Sequence, residues 1–124
     1  MKTTGGLSHT EREGFIIMER YGSCVRLHPE KIEEYKRLHA AVWPQVLEMI
    51  TRCHIRNYTI FLHDGWLFSY FEYTGDDFQQ DMDRMAADPV TQEWWKVCTP
   101  CFDPECLPEK KAWWIGMEEI FHLD

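Results

Sequence analysis

The sequence predicts an α+β domain in which an antiparallel sheet carries helices on one face. Two strand-like segments rich in Ile, Tyr, Phe and Trp are joined by Asp64-Gly65, a pair typical of tight hairpins. A helix start precedes them at His28–Glu30, and a segment with period-two alternation closes the chain. With 124 residues, the chain is long enough for one domain of this kind.

The first elements are a strand and a helical segment broken by proline. Tyr21–Leu27 alternates with a strand period and predicts the first strand. Pro29 suits the first position of a helix, and apolar residues recur at helical spacing after it. Because Pro44 would remove a hydrogen bond and clash with the preceding turn, two helical pieces are predicted, 29–41 and 44–52.

The rest of the domain is predicted to contain a hairpin, two helices, a loop and a closing strand. Strands are predicted at 55–62 and 66–73, helices at 76–87 and 91–98, a proline-bearing loop at 98–111 and a closing strand at 112–123. The order strand, helix, strand, strand, helix, strand is typical of a ferredoxin-like fold. The uncovered face of such a sheet would carry many aromatics, so we expect it to bury them against a ligand, a second copy of the chain, or both. A homodimer is therefore predicted.

Charge and composition limit the partners and the compartment. Lys and Arg number 13 against 21 Asp and Glu, a net charge of -8, which disfavours nucleic acid and anionic membranes as partners. The apolar run at 15–18 is too short for a signal-peptide core or a membrane span. Five cysteines without a secretory signal favour reduced thiols and a cytoplasmic location. Residues 1–19 are expected to form a flexible extension before a domain at 20–124.

Three sets of residues are candidates for chemistry. Tyr35 and His39 lie one helical turn apart and are a possible acid/base pair, although a packed tyrosine and a solvated histidine would show the same spacing. Trp94 and Trp95 are adjacent on a predicted helix, so they cannot both enter one core. One of them is available to stack on a sugar or to line a dimer interface. Tyr58 on the second strand is by itself as compatible with packing as with binding.

Metal, nucleotide and hydrolase chemistry have little support in the sequence. Cys98, Cys101 and Cys106 would need a further ligand such as His122 to hold zinc, and paired CxxC motifs are missing, so no metal site is expected. The sequence contains no phosphate-binding glycine loop, GxSxG elbow or HExxH helix.

Four segments in order carry a resemblance to a known family. Glu34–His39, Val42–Pro44, Asn57–Leu62 and Gln92–Trp95 together resemble the L-rhamnose mutarotase family. The resemblance implies a ferredoxin-like α+β fold of the dimeric α+β barrel type and interconversion of the α and β anomers of a deoxyhexose without a cofactor. It also implies roles for the candidate residues: His39 as proton donor, Tyr35 and Tyr58 as sugar-binding tyrosines, and Trp94 and Trp95 as the paired tryptophans of the pocket.

Several questions stay open at this point. Mutarotation needs a second group to remove the anomeric proton, and a tyrosinate-like Tyr35, a carboxylate or a water are all compatible with the sequence. The 6-deoxy sugar is expected to be L-rhamnose, with L-fucose as the alternative. The rival functions are a sugar-binding module without turnover and a cofactor-free oxygenase of the dimeric α+β barrel group.

Overall fold

The computed structural model describes residues 18–107 and 113–124 of the chain. Most of the predicted extension at 1–19 and part of the loop at 98–111 lie outside the described residues. The elements alternate in the predicted order of strands and helices. They are β1 (Glu19–Arg26), α1 (Ile32–His39), α2 (Pro44–Arg52), β2 (Ile55–His63), β3 (Trp66–Tyr73), α3 (Phe78–Ala87), α4 (Pro89–Cys98) and β4 (Ile115–Met117).

The four strands form one antiparallel sheet in the order β2-β3-β1-β4. Val25 on β1 lies opposite Leu67 on β3, and both are buried with Leu27 in the core beneath the helices. Tyr35 of α1 and Trp94 of α4 belong to the same core. The predicted ferredoxin-like α+β fold, with helices on one face of the sheet, is confirmed.

The hairpin between β2 and β3 forms where the sequence predicts it. Asp64 and Gly65 adopt φ values of 56° and 82°, the left-handed conformations of a two-residue hairpin turn. The strands pair on both sides of this turn, with His63 opposite Trp66. The turn therefore sets the register of the two longest neighbouring strands.

The helical layer is divided as the prolines predict. Trp43 is extended (φ -61°, ψ 134°) because a residue before proline avoids the helical region, so α1 ends at His39 and α2 begins at Pro44. Asp88 caps α4 by accepting a hydrogen bond from the Thr91 amide at 2.9 Å. This cap starts α4 at Pro89, two residues before the predicted start.

The predicted closing strand at 112–123 is wrong in length. β4 spans only Ile115–Met117, where it pairs with Gly22–Cys24 of β1, and residues 118–124 have no strand structure. The alternating pattern in this segment depends on a partner strand, and β1 supplies one for three residues only. Arg20 of β1 holds the following segment through an ion pair with Glu119 at 2.9 Å, and the apolar side chains beyond it are almost fully exposed: Ile120, Phe121 and Leu123.

A buried carboxylate ties the far end of the sheet to α3. Asp81 is only 5% exposed and accepts hydrogen bonds from the Tyr73 hydroxyl at 2.6 Å, from His54 Nδ1 at 2.9 Å and from Arg84 at 2.8 Å. A Cβ atom added at Gly75 would lie 2.8 Å from an Asp81 oxygen, so the network is closely packed. We refer to Asp81, Tyr73, His54 and Arg84 as the Asp81 network.

Within residues 18–107 and 113–124, no helix covers the second face of the sheet. Phe61 lies opposite Phe68, and Phe68 lies opposite Cys24, so these side chains share the face away from α1–α4. Phe61, Phe68 and Met117 are exposed there. Among the helices within 18–107 and 113–124, none is long and apolar enough to cross a membrane.

Candidate active site

Helix α1 brings Tyr35 and His39 together as a stacked pair. Their ring centroids are 4.0 Å apart with an angle of 23° between the planes. His39 Nδ1 lies 3.1 Å from the backbone oxygen of Tyr35. Because a carbonyl oxygen can only accept a hydrogen bond, Nδ1 carries a proton. The other ring nitrogen, Nε2, is therefore the one that can exchange a proton with a ligand.

Burial shifts the pKa values of both members of the pair. Desolvation lowers the pKa of His39 below its usual 6.5, against a smaller upward effect of the hydrogen bond to Tyr35. Desolvation is also the main cause that raises the pKa of Tyr35 far above its usual 10. Tyr35 is thus expected to be a neutral phenol and a hydrogen-bond donor at physiological pH, which disfavours a tyrosinate-like Tyr35 as the base.

The adjacent tryptophans of α4 lie in different environments. Trp94 is 6% exposed and meets His39 edge-on at 5.3 Å and Trp43 at 5.2 Å. Trp95, about 100° further round the helix, is 41% exposed. The expectation that the two indoles cannot share one core is confirmed. Trp94 supports the imidazole, and Trp95 leaves an indole surface available to a ligand.

Tyr58 approaches the same region from the sheet. Its ring meets Phe71 at 5.6 Å in an edge-on contact. Although 43% of the residue is exposed, desolvation of its hydroxyl raises the pKa of Tyr58 to about 12. Tyr58 therefore also offers a neutral phenol, from strand β2.

One cavity between the sheet and the helices joins these side chains. It has a volume of about 1050 Å³, at the upper end of the range that small-molecule sites occupy, and all five predicted site residues line it. The remaining walls are mostly apolar, with Val46, Leu47 and Ile50 from α2 and Met82 and Met85 from α3. The structure thus places an imidazole, two phenols and two indoles around one small-molecule cavity.

Several lining residues were not predicted as site residues. Val42 and Asn57 line the cavity and lie inside two of the segments that carry the family resemblance, which is the sequence signal for them. Trp113 and Trp114 also line the cavity, and their rings contact Phe102 at 5.4 and 5.9 Å. They form a second adjacent tryptophan pair, which lies outside any helix and packs with both rings against the core around Phe102.

The described residues define what the cavity can do chemically. Among those that line it there is no carboxylate, so its polar chemistry rests on imidazole, phenol, hydroxyl, thiol, indole, amide and guanidinium groups. In the same part of the chain no three His, Cys, Asp or Glu residues are grouped to hold a metal, and the cysteines that were weighed as ligands with His122 are free thiols: Cys98, Cys101 and Cys106. Such a cavity suits proton exchange with an uncharged hydroxylated ligand.

Comparisons with known proteins point to one family. The family model described as L-rhamnose mutarotase matches residues 20–123. A protein named L-rhamnose mutarotase from Bacillus subtilis (strain 168) is 33% identical over 109 residues, which cover 86% of this chain and all of that protein.

Solved structures show the same fold. The crystal structure of an L-rhamnose mutarotase from Formosa agariphila aligns with a TM-score of 0.68 at 21% identity, covering 86% of this chain and 99% of that one. Tetracenomycin F2 cyclase from Streptomyces glaucescens, a type-II polyketide cyclase, aligns with a TM-score of 0.60 at 15% identity and the same coverage. The cyclase indicates shared architecture only, whereas the family model spans nearly all of the described chain. The chain belongs to the L-rhamnose mutarotase family.

Proposed function

We propose that this protein is an isomerase that interconverts the α and β anomers of L-rhamnose by opening and closing the pyranose ring. Family membership and the names of the relatives support the reaction and the sugar. The single observation that carries the chemistry is the position of His39, whose Nδ1 is held by a carbonyl oxygen while its ring lies on the wall of the cavity.

The proposed reaction moves two protons and breaks one bond. The imidazolium form of His39 donates the proton on Nε2 to the ring oxygen as the bond between that oxygen and C1 breaks. The anomeric hydroxyl loses its proton, and an aldehyde forms at C1. Rotation about C1–C2 and closure give the other anomer, with neutral His39 taking back the proton from the attacking hydroxyl. Tyr35 and Tyr58 are neutral phenols, and the described residues that line the cavity include no carboxylate. We therefore propose that a water molecule accepts the proton of the anomeric hydroxyl.

The remaining predicted site residues are proposed to bind the sugar. Tyr35 and Tyr58 stay protonated because burial raises both pKa values, so each hydroxyl can donate to a sugar oxygen. Trp95 offers an indole face to the apolar C–H groups of the ring, and Trp94 packs between His39 and Trp43. The apolar walls from α2 and α3 suit the methyl group of a 6-deoxy sugar.

Anomer-exchange NMR tests the proposed function directly. We expect catalytic amounts of the protein to accelerate exchange between the anomers of L-rhamnose more than those of L-fucose or D-glucose. L-fucose shares the methyl group and differs in its hydroxyl stereochemistry, so the comparison isolates the hydrogen-bonding contribution. No acceleration for any of the three sugars would contradict the proposal.

Two rival functions give different results in the same preparation. A sugar-binding module without turnover would change tryptophan fluorescence on adding L-rhamnose but leave anomer exchange at the uncatalysed rate. A cofactor-free oxygenase would consume oxygen with an aromatic substrate, whereas mutarotation consumes none. The family match favours the mutarotase over both.

We further propose that the protein is a homodimer that buries the helix-free face of the sheet. A contiguous exposed apolar face on a sheet is unfavourable in water, and a second copy presents a matching surface. We expect the wild-type protein to elute with the mass of two chains in size-exclusion chromatography with light scattering. Phe61→Asp should shift the mass toward one chain, because Phe61 is 62% exposed on this face.

Leu47→Asp is the matched control for this experiment. Leu47 is 51% exposed but lies on α2, on the other side of the sheet, so its variant should remain a dimer. A wild-type monomer at micromolar concentration would overturn the dimer proposal.

A cytoplasmic location is proposed as well, on the support of the free cysteines in the described chain.

A further inference from the structure

Strand β2 contains a β-bulge next to the cavity. Arg56 pairs with Glu72 and Thr59 pairs with Tyr70, so two residues of β2, Asn57 and Tyr58, lie opposite one residue of β3. Asn57 has a φ of 51°, in the left-handed region. One extra residue, with a left-handed backbone at the first position, is the arrangement that re-aims side chains in antiparallel sheets.

The bulge changes which side of the sheet Tyr58 faces. Ile55 lies opposite Tyr73 and is buried on the helical side of the sheet. In an uninterrupted strand, successive side chains alternate, so Tyr58 and Ile60 would then point to the face opposite Ile55. The extra residue shifts the alternation by one, and Tyr58 and Ile60 line the cavity on the same side as Ile55.

The side chains around the bulge hold it in place. Asn57 Nδ2 donates a hydrogen bond to Glu72 at 2.7 Å, and the Tyr70 hydroxyl donates to the other oxygen of Glu72 at 2.8 Å. These two hydrogen bonds are the main causes that lower the pKa of Glu72. The Thr59 hydroxyl donates to the backbone oxygen of Asn57 at 3.1 Å. The bulge is thus tied to the neighbouring strand and to its own continuation.

We propose that Asn57 is a positioning residue, whose left-handed backbone conformation forms the bulge that turns Tyr58 into the sugar cavity. Asparagine adopts left-handed φ values more readily than most residues, and its amide reaches the carboxylate of Glu72 from that conformation. This role of Asn57 acts through the backbone and does not require its side chain to touch the sugar. The inference rests on the proposed function in one respect, the role of Tyr58 in binding.

Substitutions at Asn57 separate the backbone effect from the loss of a side chain. Asn57→Val places a β-branched residue where φ is positive, which strains the bulge, whereas Asn57→Gly removes the same amide but accepts the conformation freely. We expect Asn57→Val to raise KM for L-rhamnose about five- to tenfold with kcat changed less than about twofold, the effect of one lost hydrogen bond to the sugar. Asn57→Gly should stay within about twofold of wild type in KM.

A double-mutant cycle tests whether Asn57 acts through Tyr58. In a Tyr58→Phe background, Asn57→Val should raise KM by less than about twofold further, because the hydrogen bond it disturbs is already gone. Asp64→Val is the matched control, since Asp64 also has a positive φ (56°) but lies in the hairpin turn away from the cavity. It should lower the melting temperature as Asn57→Val does and leave KM unchanged.

The outcomes distinguish this inference from the proposed function. A KM unchanged in Asn57→Val, an equal rise in Asp64→Val, or full additivity with Tyr58→Phe would overturn the positioning role. Loss of the NMR contact between the Tyr58 and Phe71 rings in Asn57→Val, with the contact retained in Asn57→Gly, would support it without any use of activity. If the wild-type protein accelerates no sugar, the proposed function fails, and the ring contact still decides whether Asn57 positions Tyr58.

Discussion

Replacing His39 with glutamine is expected to lower the protein's acceleration of L-rhamnose anomer exchange by about 10²–10⁴-fold, the contribution of one general acid. Glutamine keeps a hydrogen-bonding side chain on α1 but cannot cycle a proton near neutral pH. Since Trp95 and Tyr58 are unchanged, binding of L-rhamnose should persist, so the loss should fall on kcat. Anomer-exchange NMR at several sugar concentrations measures both parameters.

His63→Gln is the matched control for this variant. His63 is exposed at the end of β2 beside the hairpin turn and does not line the 1050 Å³ cavity. Its variant should exchange anomers at the wild-type rate. Wild-type kcat in His39→Gln, with the fold intact by circular dichroism, would remove His39 from the proposed mechanism.

The pH dependence gives a second readout of the same group. Burial lowers the pKa of His39 below 6.5, so the imidazolium that donates on ring opening loses population as pH rises through that lowered value. The value of kcat/KM should therefore fall with rising pH, with a midpoint below 6.5, and this dependence should vanish in His39→Gln. A rate that instead rises through this range would assign neutral His39 as the base at the anomeric hydroxyl.

Asp81→Asn is expected to give a large loss of stability, about 2–3 kcal/mol. The carboxylate is almost fully buried and receives three hydrogen bonds, and the asparagine amide would place donor hydrogens against donors of the Asp81 network. At a few degrees per kcal/mol, the melting temperature should fall by roughly 10 °C. Denaturant titration and thermal unfolding both measure the change.

The Asp81 network also predicts the direction of acid unfolding. Burial raises the pKa of Asp81, but the hydrogen bonds from Tyr73 and His54 together with the charges of His54 and Arg84 lower it overall. The contribution of Asp81 to stability is therefore present above the pKa of the unfolded chain and is lost as pH falls through the lower, folded-state value. Asp83→Asn, an exposed carboxylate on the same helix, is the control and should change stability by less than about 0.5 kcal/mol. Equal losses in the two variants would show that the buried network is not what stabilises this end of the sheet.

Local signals in the sequence were sufficient for much of the fold. The hairpin at Asp64-Gly65 and the break before Pro44 follow from backbone preferences that act within a few residues, and both are confirmed. The helix at Pro89 starts earlier than predicted because Asp88-Pro89, which ends one helix, also caps the next. The four-residue spacing of Tyr35 and His39 likewise predicts that they lie on one face of α1.

Features that depend on a neighbouring strand could not be predicted from local sequence signals. The bulge at Asn57 is defined by what lies opposite it on β3, and an alternation argument over Tyr58, Ile60 and Leu62 does not reveal that Ile55 faces the same side. The short β4 has the same cause, because the length of an edge strand is set by its partner. The prediction that α1, α4 and β2 meet at one cavity depended on the family resemblance, because spacing along the sequence does not give the distance between side chains on separate elements.

The interruption between α1 and α2 separates two tasks that a single long helix would combine. Because the chain is extended at Trp43, the two short helices are oriented independently of each other. Helix α1 directs Tyr35 and His39 to the cavity, and α2 contributes part of its apolar wall. Substitutions in α2 can then reshape that wall without rotating the imidazole. The proposed catalytic group on α1 and the apolar wall on α2 can therefore vary independently. Natural variation or protein engineering could use this to change the sugar that is bound while the proposed proton donor stays in place.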